Sequence, residues 1–382
     1  MKRIAVFCAL PPNRNTGMAT VDLAAFTAIR RFAPQAEITL YTYGKAEIKG
    51  FQAGDLPYDY LDVTEHTERY FGSDIFLFWG DFTHTHDYWL KDRQISQQHY
   101  EDYRKYIFLT SLEPSRLKDV IVFGSTIITN DAADQNDAAY YDDFKRFFEG
   151  VRAVYFRDAI SAAKISPLRT EEASLGCDCA FLLKDADLNL IPGYIPAAKR
   201  QGVGVFFART PSKISMMFFA RLVGHYLGEK CRWLPWLNYP YGERWQRWPF
   251  LVLGFWIKSG HTDTGKVLSS LSGYKFIITD TYHLCVNAWR MGIPAICIGQ
   301  GATICAHTLS DKKKEVLYEM IGARSFYLFV ESLSILRLRA KAKSAAGVLS
   351  DQALIGQIHA NVDAHRAMGL RRLGAALQAL LA

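Results

Sequence analysis

No apolar run in this chain approaches the ~20 residues that a membrane-spanning helix needs. Ile4–Leu10 stops at Pro11 and Pro12, and Phe250–Ile257 is broken by Gly254. The first run also lacks a small-residue cleavage site, so a cytoplasmic protein without a secretory leader is expected. Cysteine is scarce and odd in number, at seven. Cys177 and Cys179 are spaced C-x-C with no second pair, so a zinc site is not expected. Cys8, Cys285 and Cys297 lie in apolar, strand-like runs, the pattern of small buried thiols in a reducing compartment. The G-x-G-x-x-G dinucleotide fingerprint is missing, and so is the G-x-x-x-x-G-K-[ST] phosphate loop. There is no low-complexity tract and no internal repeat beyond an alternation of strands and helices. Charge is nearly balanced: 45 Lys plus Arg against 38 Asp plus Glu give +7. That excess is too mild for a nucleic-acid surface. It suits an anionic small substrate or loose contact with an anionic membrane face.

The 382 residues are enough for about two domains. Apolar types at 49% and charged types at 22% describe an ordinary globular chain with ample core. The opening reads strand (Ile4–Leu10), loop (Pro11–Gly17), helix (Val21–Phe32), strand (Glu37–Tyr43), the sign of a parallel sheet with crossover helices. Further strands follow at Ile75–Trp79, Val120–Phe123 and Ala153–Phe156, with a helix at Asp137–Glu149. Residues 184–200 carry Pro192-Gly193 and Pro196 with little periodicity, which marks a linker. A second series then runs Val203–Phe207, a helix from near Pro211 to about Leu227, Tyr274–Thr279, a short helix Leu284–Arg290, and Ala295–Ile298. These segments predict an N-terminal domain over 1–190 and a second over 200–345. The Ala- and Leu-rich stretch 346–382 predicts closing helices. Ligands of open parallel sheets sit beyond the carboxyl ends of the strands, so the residues just after each strand are the site candidates.

Arg157 directly follows a strand, where a guanidinium can hold phosphate or carboxylate, or form an interdomain ion pair. Asp158 after it suits a helix N-cap. Thr279-Asp280-Thr281-Tyr282-His283 ends one strand and opens a helix that Asp280 or Thr281 can cap. His283 in its first turn is expected to face the cleft, with a structural histidine as the alternative. Arg209-Thr210 offers another cation or a surface helix start. Asn13–Gly17, with Asn15 and Gly17, is a polar loop able to approach a sugar or phosphate. Asp81, His84, His86 and Asp87 crowd after one strand without any metal-ligand spacing, so hydrogen bonding is expected of them rather than metal. The segment 231–248 interleaves four Trp, among them Trp236 and Trp245, with two Tyr and three Arg. Sugar stacking, membrane contact and plain core are equally open for it. Arg337, Arg339, Lys341 and Lys343 form a basic run, either a solvated face or a contact for anionic lipid.

Taken in order along the chain, these segments resemble the polysaccharide pyruvyl transferase family. Asn15-Thr16-Gly17 before a helix is similar to its N-terminal loop, and Arg157-Asp158 with Ser161 to its R-D-x-x-S segment. Asp178–Leu183 resembles its D-P-A-F-x-L segment, with Cys179 where Pro is usual. Thr279–His283 followed by Ala288, Gly292 and Pro294 is similar to its most specific block. There Thr281 stands where Arg is usual and Leu284 where Gly is usual. Arg209, Arg14 and Arg290 are the candidates to replace that missing cation. The resemblance implies an α/β, GT-B-like fold of two Rossmann-like domains with parallel sheets facing a central cleft. The N-terminal domain would be the acceptor side and the C-terminal domain the donor side. It implies a transferase of bacterial surface-polysaccharide assembly, moving pyruvate from phosphoenolpyruvate to two hydroxyls of a lipid-linked or nucleotide-linked saccharide as a ketal. No metal or cofactor is expected, and at most a loose contact with the inner membrane face is expected. Arg157 would bind the donor anion and His283 would protonate its methylene carbon. Asp81 is the candidate base on strand-end position, and Asn15, Gly17, Arg209, Thr279, Thr281, Trp236 and Trp245 are the candidate binding residues. A glycosyltransferase using a sugar nucleotide on the same fold is the first alternative, and a non-catalytic carbohydrate-binding protein the second.

Overall fold

Runs such as Ile-Ala-Val-Phe-Cys, Ile-Phe-Leu-Phe-Trp and Val-Ile-Val-Phe have no polar face, so as strands they must be covered on both sides. The computed structural model of the chain describes residues 1–8, 16–43, 60–86, 96–127, 137–170, 173–183, 193–207, 213–234, 236, 264–301, 311–334 and 336–382. In it those runs become the centres of two parallel sheets. The first contains β1 (Arg3–Cys8), β2 (Glu37–Thr42), β3 (Tyr60–Asp62), β4 (Ile75–Trp79), β5 (Val120–Phe123), β6 (Ala153–Phe156) and β7 (Ser174–Leu175). The second contains β8 (Val203–Phe206), β9 (Cys231–Trp233), β10 (Phe276–Thr279), β11 (Ala295–Gly299) and β12 (Tyr327–Phe329). Their spatial orders are β3-β2-β1-β4-β5-β6-β7 and β12-β11-β10-β8-β9, and every pairing is parallel. The strands expected from sequence are present, with ends moved by a few residues.

The helices among the described residues are α1 (Thr16–Phe32), α2 (Thr67–Phe71), α3 (Gln97–Ile107), α4 (Ala138–Gly150), α5 (Ala159–Ile165) and α6 (Lys213–Leu227). They continue with α7 (Thr264–Ser272), α8 (Tyr282–Arg290), α9 (Lys312–Met320), α10 (Leu338–Ser350) and α11 (Gln352–Leu381). Two begin earlier than periodicity predicts. The first ten residues of α1, Thr16–Ala25, are all buried, and so are all nine of α8. A helix enclosed on every side has no polar stripe to reveal its start.

Strand order places the functional edge. In each sheet the chain winds outward in both directions from a switch point, and the crevice beyond the strand ends lies there. In the first sheet the switch falls between β1 and β4, which are followed by α1 and by Gly80-Asp81. In the second it falls between β8 and β10, and β10 leads into Asp280–His283. The two domains are joined closely. Asn287 of α8 donates to the Thr20 hydroxyl of α1 at 3.0 Å, and Thr16 donates to the Trp236 carbonyl at 2.8 Å. The 30-residue α11 returns across the molecule, setting Gly369 against Cys177 and Gly374 against Phe32. Arg372 of this helix donates to the Leu175 carbonyl.

Cys8, Cys177, Cys179, Cys285 and Cys297 are buried free thiols, as the sequence suggests, and Cys231 is half-buried. Among the described residues no helix is long and apolar enough to cross a membrane.

The core of the first domain contains one costly group. Asp22 of α1 is fully buried, and its carboxyl group accepts from the Tyr60 hydroxyl. Burial pushes its pKa up to about 7, against a smaller lowering by the Tyr60 and Cys8 hydrogen bonds. An acid raised on folding is protonated in the folded chain while already ionised in the unfolded one. Its cost to stability therefore grows as pH climbs from about 4 to about 7. Asp22→Asn keeps the neutral shape and removes that slope. The melting temperature of the variant should match wild type near pH 4 and exceed it increasingly towards pH 8, as calorimetry across that range will show.

Candidate active site

Three strand ends deliver candidate residues to one place. β6 ends at Phe156, and Arg157 follows with its amide bonded to the Ser125 carbonyl at 3.1 Å. Asp158 caps α5 as expected, accepting from the Ser161 amide at 2.7 Å. β4 ends at Gly80 and Asp81, which both take left-handed backbone conformations, φ +67° and +52°. That conformation is unusual for a non-glycine residue and marks local strain. β10 ends at Thr279, which donates to the Phe206 carbonyl at 2.7 Å and accepts from the Thr281 amide at 3.1 Å. Thr281 occupies the N-cap position of α8, but its side chain makes no capping bond and donates instead to Asp280 at 3.2 Å.

Arg157 is only 5% exposed. Its Nη1 bonds to Asp178 at 3.3 Å, while Nε and Nη2 are buried with no hydrogen-bond partner. Its guanidinium carbon lies 4.9 Å from the Tyr282 ring centre and 5.5 Å from that of Phe82. Burial works against the charge, yet Tyr282, Asp178, Asp81 and Asp158 more than offset it and raise the pKa, so the group stays cationic. The ion pair open from sequence is an interdomain one, whereas Asp178 belongs to the same domain as Arg157. It forms a buried ion pair and still has two N–H groups unspent. Leaving such donors unsatisfied in a buried site is costly, and an anionic ligand would relieve the cost.

His283 sits across the cleft on α8, packed against α1. A Cβ built on Gly17 would lie 2.3 Å from the His283 Cβ and 2.5 Å from its Nδ1. Only glycine allows this approach of helix to ring. Nδ1 is buried against Gly17 without a partner. Burial pushes the imidazole down to about 4; Asp178 and Asp81 oppose this fall, and Arg157 and Lys313 add to it. The histidine is thus neutral near pH 7 while the site is without an anion. Asp81 is buried with one carboxyl oxygen unpartnered, and it acts electrostatically on both Arg157 and His283.

Gly17, Asp81, Arg157, Thr279, Thr281 and His283 therefore belong to one region. Other expectations are corrected. His84 is no part of a polar cluster. It bonds the Ile107 carbonyl at 3.0 Å inside a cage of Phe78, Phe108, Phe147 and Phe148, and burial lowers its pKa to about 3. His86 pairs with Asp137 at 3.4 Å. Trp236 is wholly buried, so its ring is interior rather than a stacking face. Arg290 is committed to the Leu183 carbonyl at the far end of α8. Asn15, Arg14, Asp87, Arg209 and Trp245 lie outside the described residues. Among the described residues no three metal-ligand side chains are gathered. Four participants were not singled out from sequence as site residues: Asp178, Tyr282, Phe82 and Lys313. Asp178 had a signal, since it lies in a quoted segment. Tyr282 had the same signal, since it lies in the quoted Thr279–His283 segment, while Phe82 and Lys313 had none beyond their places after a strand and at a helix start.

A family model described as polysaccharide pyruvyl transferase matches residues 23–301. No curated protein sequence matches significantly. Solved structures share the fold at low identity. A UDP-N-acetylglucosamine 2-epimerase from Listeria monocytogenes aligns at 11% identity over 96% of this chain and 97% of its own, with a TM-score of 0.54. The UDP-GlcNAc 2-epimerase from Neisseria meningitidis bound to UDP-GlcNAc gives 10%, 97%, 100% and 0.54 in the same terms. The spinosyn rhamnosyltransferase complexed with thymidine diphosphate gives 11%, 96%, 97% and 0.50. The fold is GT-B-like: two parallel-sheet α/β domains.

The contact between Gly17 and His283 makes a direct prediction. In Gly17→Ala the new methyl displaces the imidazole or parts α1 from α8. Turnover and donor binding should both collapse, with a melting temperature lowered by several degrees, while Gly347→Ala, at a helical glycine with open space around it, should leave both intact.

Proposed function

The chain belongs to the polysaccharide pyruvyl transferase family, and on that premise we propose that it moves pyruvate from phosphoenolpyruvate onto two hydroxyls of a saccharide, closing a cyclic ketal. The observation that carries this reading is Arg157, a buried cation with two unspent N–H groups, facing a neutral histidine across the two switch points. A small, highly anionic donor fits that arrangement. Phosphoenolpyruvate has a planar carboxylate for the guanidinium fork and a phosphate for a further cation.

The chemistry divides among the chain's own groups. Protonation of the methylene carbon turns the enol into an oxocarbenium-like centre. One saccharide hydroxyl adds to that carbon and gives its proton to a base. The carbon–oxygen bond to phosphate breaks, and the second hydroxyl closes the ketal. Two protons leave the hydroxyls: one replaces the proton spent on carbon, and the other departs with phosphate. His283 is the acid in this scheme, and it must come within ~3 Å of the methylene carbon. Free of ligand it is held near 4 by burial, with Arg157 and Lys313 adding to the fall. An anion bound between those cations cancels their push and raises the imidazole, so the proton becomes available when the donor arrives. Asp81 is the base for the acceptor, on the N-terminal side of the cleft; Gly17, Thr279 and Thr281 line the donor path. The saccharide belongs to surface-polysaccharide assembly, carried on lipid or nucleotide. Asn15, Arg209 and Trp245 keep their expected binding roles within this reading.

The lipid-linked form is supported by the surface. Ile214, Phe218 and Tyr226 of α6 are 53%, 47% and 42% exposed, and Leu336 is 96% exposed. α10 packs along α6 and is preceded or lined by exposed Arg337, Arg339 and Lys343. Apolar side chains beside cations fit an anionic bilayer face. A sugar-nucleotide glycosyltransferase remains the second reading, because UDP-GlcNAc is bound on this same fold in the Neisseria epimerase.

Three outcomes are expected. Phosphoenolpyruvate at ~100 times its Kd should stabilise the protein by about 2.7 kcal/mol, a rise of a few degrees that disappears in Arg157→Ala. Stabilisation by UDP, GDP or CMP with none by phosphoenolpyruvate would replace this reading with the glycosyltransferase. The pH profile of kcat should fall at high pH with a midpoint well above 4, and His283→Gln should lose that limb along with most turnover. Sedimentation with anionic vesicles should exceed that with neutral ones, and weaken in Phe218→Ser and at high salt.

A further inference from the structure

α9 opens with three lysines in succession, and each has a different environment. Lys312 is exposed and pairs with Glu315 at 3.2 Å. Lys314 is buried; it pairs with Asp311 and donates to the carbonyls of Asp280 at 3.0 Å and Ile298 at 3.4 Å. This buried anchor pins the start of α9 beneath the ends of β10 and β11. Lys313 is half-buried between the two, and its direction is fixed by its neighbour's anchor. Its ammonium lies 4.5 Å from the Phe82 ring centre and 5.2 Å from that of Tyr282.

Those are the two rings that Arg157 also addresses, at 5.5 and 4.9 Å. Arg157 comes from the first domain and Lys313 from the second, so cations from both domains converge on one aromatic pair. The convergence is held in place by packing. Val316, one helical turn after Lys313, packs with Phe82 in a small apolar cluster that Ile160 and Met320 complete. Two cations brought together at a largely dry site repel one another, and Arg157 has two buried N–H groups without partners. An anion with two charged ends would relieve that repulsion and take up the Arg157 N–H groups. The two cations differ in shape as the two ends of such an anion do. A planar guanidinium matches a carboxylate, while a compact ammonium is a point charge for phosphate.

We propose that Lys313 is the phosphate-holding cation of the donor site, with Arg157 taking the carboxylate. Lys313 thereby fills the role that Thr281 and Arg290 leave open. The proposal rests on the phosphoenolpyruvate reading above and assigns its second anionic contact to a residue of α9. It also places the leaving group on the second domain and the carboxylate on the first, so the donor bridges the cleft.

The test is titration calorimetry with phosphoenolpyruvate and, separately, inorganic phosphate, on wild type, Lys313→Met, Lys313→Arg and Lys312→Met. Loss of one charged hydrogen-bonding contact should raise Kd by about 10- to 100-fold. That rise is expected for both ligands in Lys313→Met, with unliganded melting temperature close to wild type. Lys313→Arg should recover most of the affinity, and Lys312→Met should bind like wild type. If wild type binds phosphoenolpyruvate and Lys313→Met binds it equally well, the assignment of Lys313 is wrong and the donor reading stands. If wild type binds a nucleotide and neither phosphoenolpyruvate nor phosphate, the donor reading falls and this assignment falls with it.

Discussion

The contact of Gly17 with His283 sets the distance between the two domains. Two helices that begin at switch points, α1 in one sheet and α8 in the other, meet where one has no side chain. From that contact the helices run on together, and Thr20 receives the Asn287 amide one turn later. The same approach brings Tyr282, the residue before His283, against Arg157 of the first domain. Move α8 outward by the width of a methyl group and the histidine, the guanidinium and the aromatic pair no longer share a site.

Within that frame the electrostatics are unusually concentrated. Arg157, Lys313, Asp81, Asp178 and His283 interact where little water intervenes, so each charge is felt more strongly than it would be at a surface. The arrangement is poised rather than balanced. The carboxylates keep Arg157 charged, while burial keeps the imidazole neutral. In the mechanism proposed above, an arriving anion would offset the push of Arg157 and Lys313 on the imidazole and raise its pKa.

The parts of this fold legible in the sequence were those with local causes. Short apolar runs gave the central strands, since a strand buried on both faces leaves no alternation to misread. The positions after those strands followed from parallel topology, and that located Arg157, Asp81 and His283. What escaped was set by contacts between distant segments. Nothing around Gly17 says that it faces residue 283. Lys313 looks like one of three surface lysines until the burial of Lys314 fixes the helix. His84 misled in the opposite sense, a polar ring among polar neighbours that turns out to be interior, while for Trp236 the core alternative is the one the structure shows. Composition reports which groups are present, and only the packing decides which of them water can reach.

The return of α11 to the first domain bears on how the chain acquires its structure. Gly374 lies against Phe32, Gly369 against Cys177, and Arg372 meets the Leu175 carbonyl. Each contact joins residues separated by nearly two hundred positions or more. Such closures are slow, because the entropy of a long loop must be lost before the contact returns anything. The first sheet is synthesised early but cannot complete its packing until the second domain has been made and α11 has crossed back. Until then the flank that Gly369 and Gly374 cover stays open to water. Once α11 is seated, neither domain can open without exposing part of the other, so the two lose their structure together.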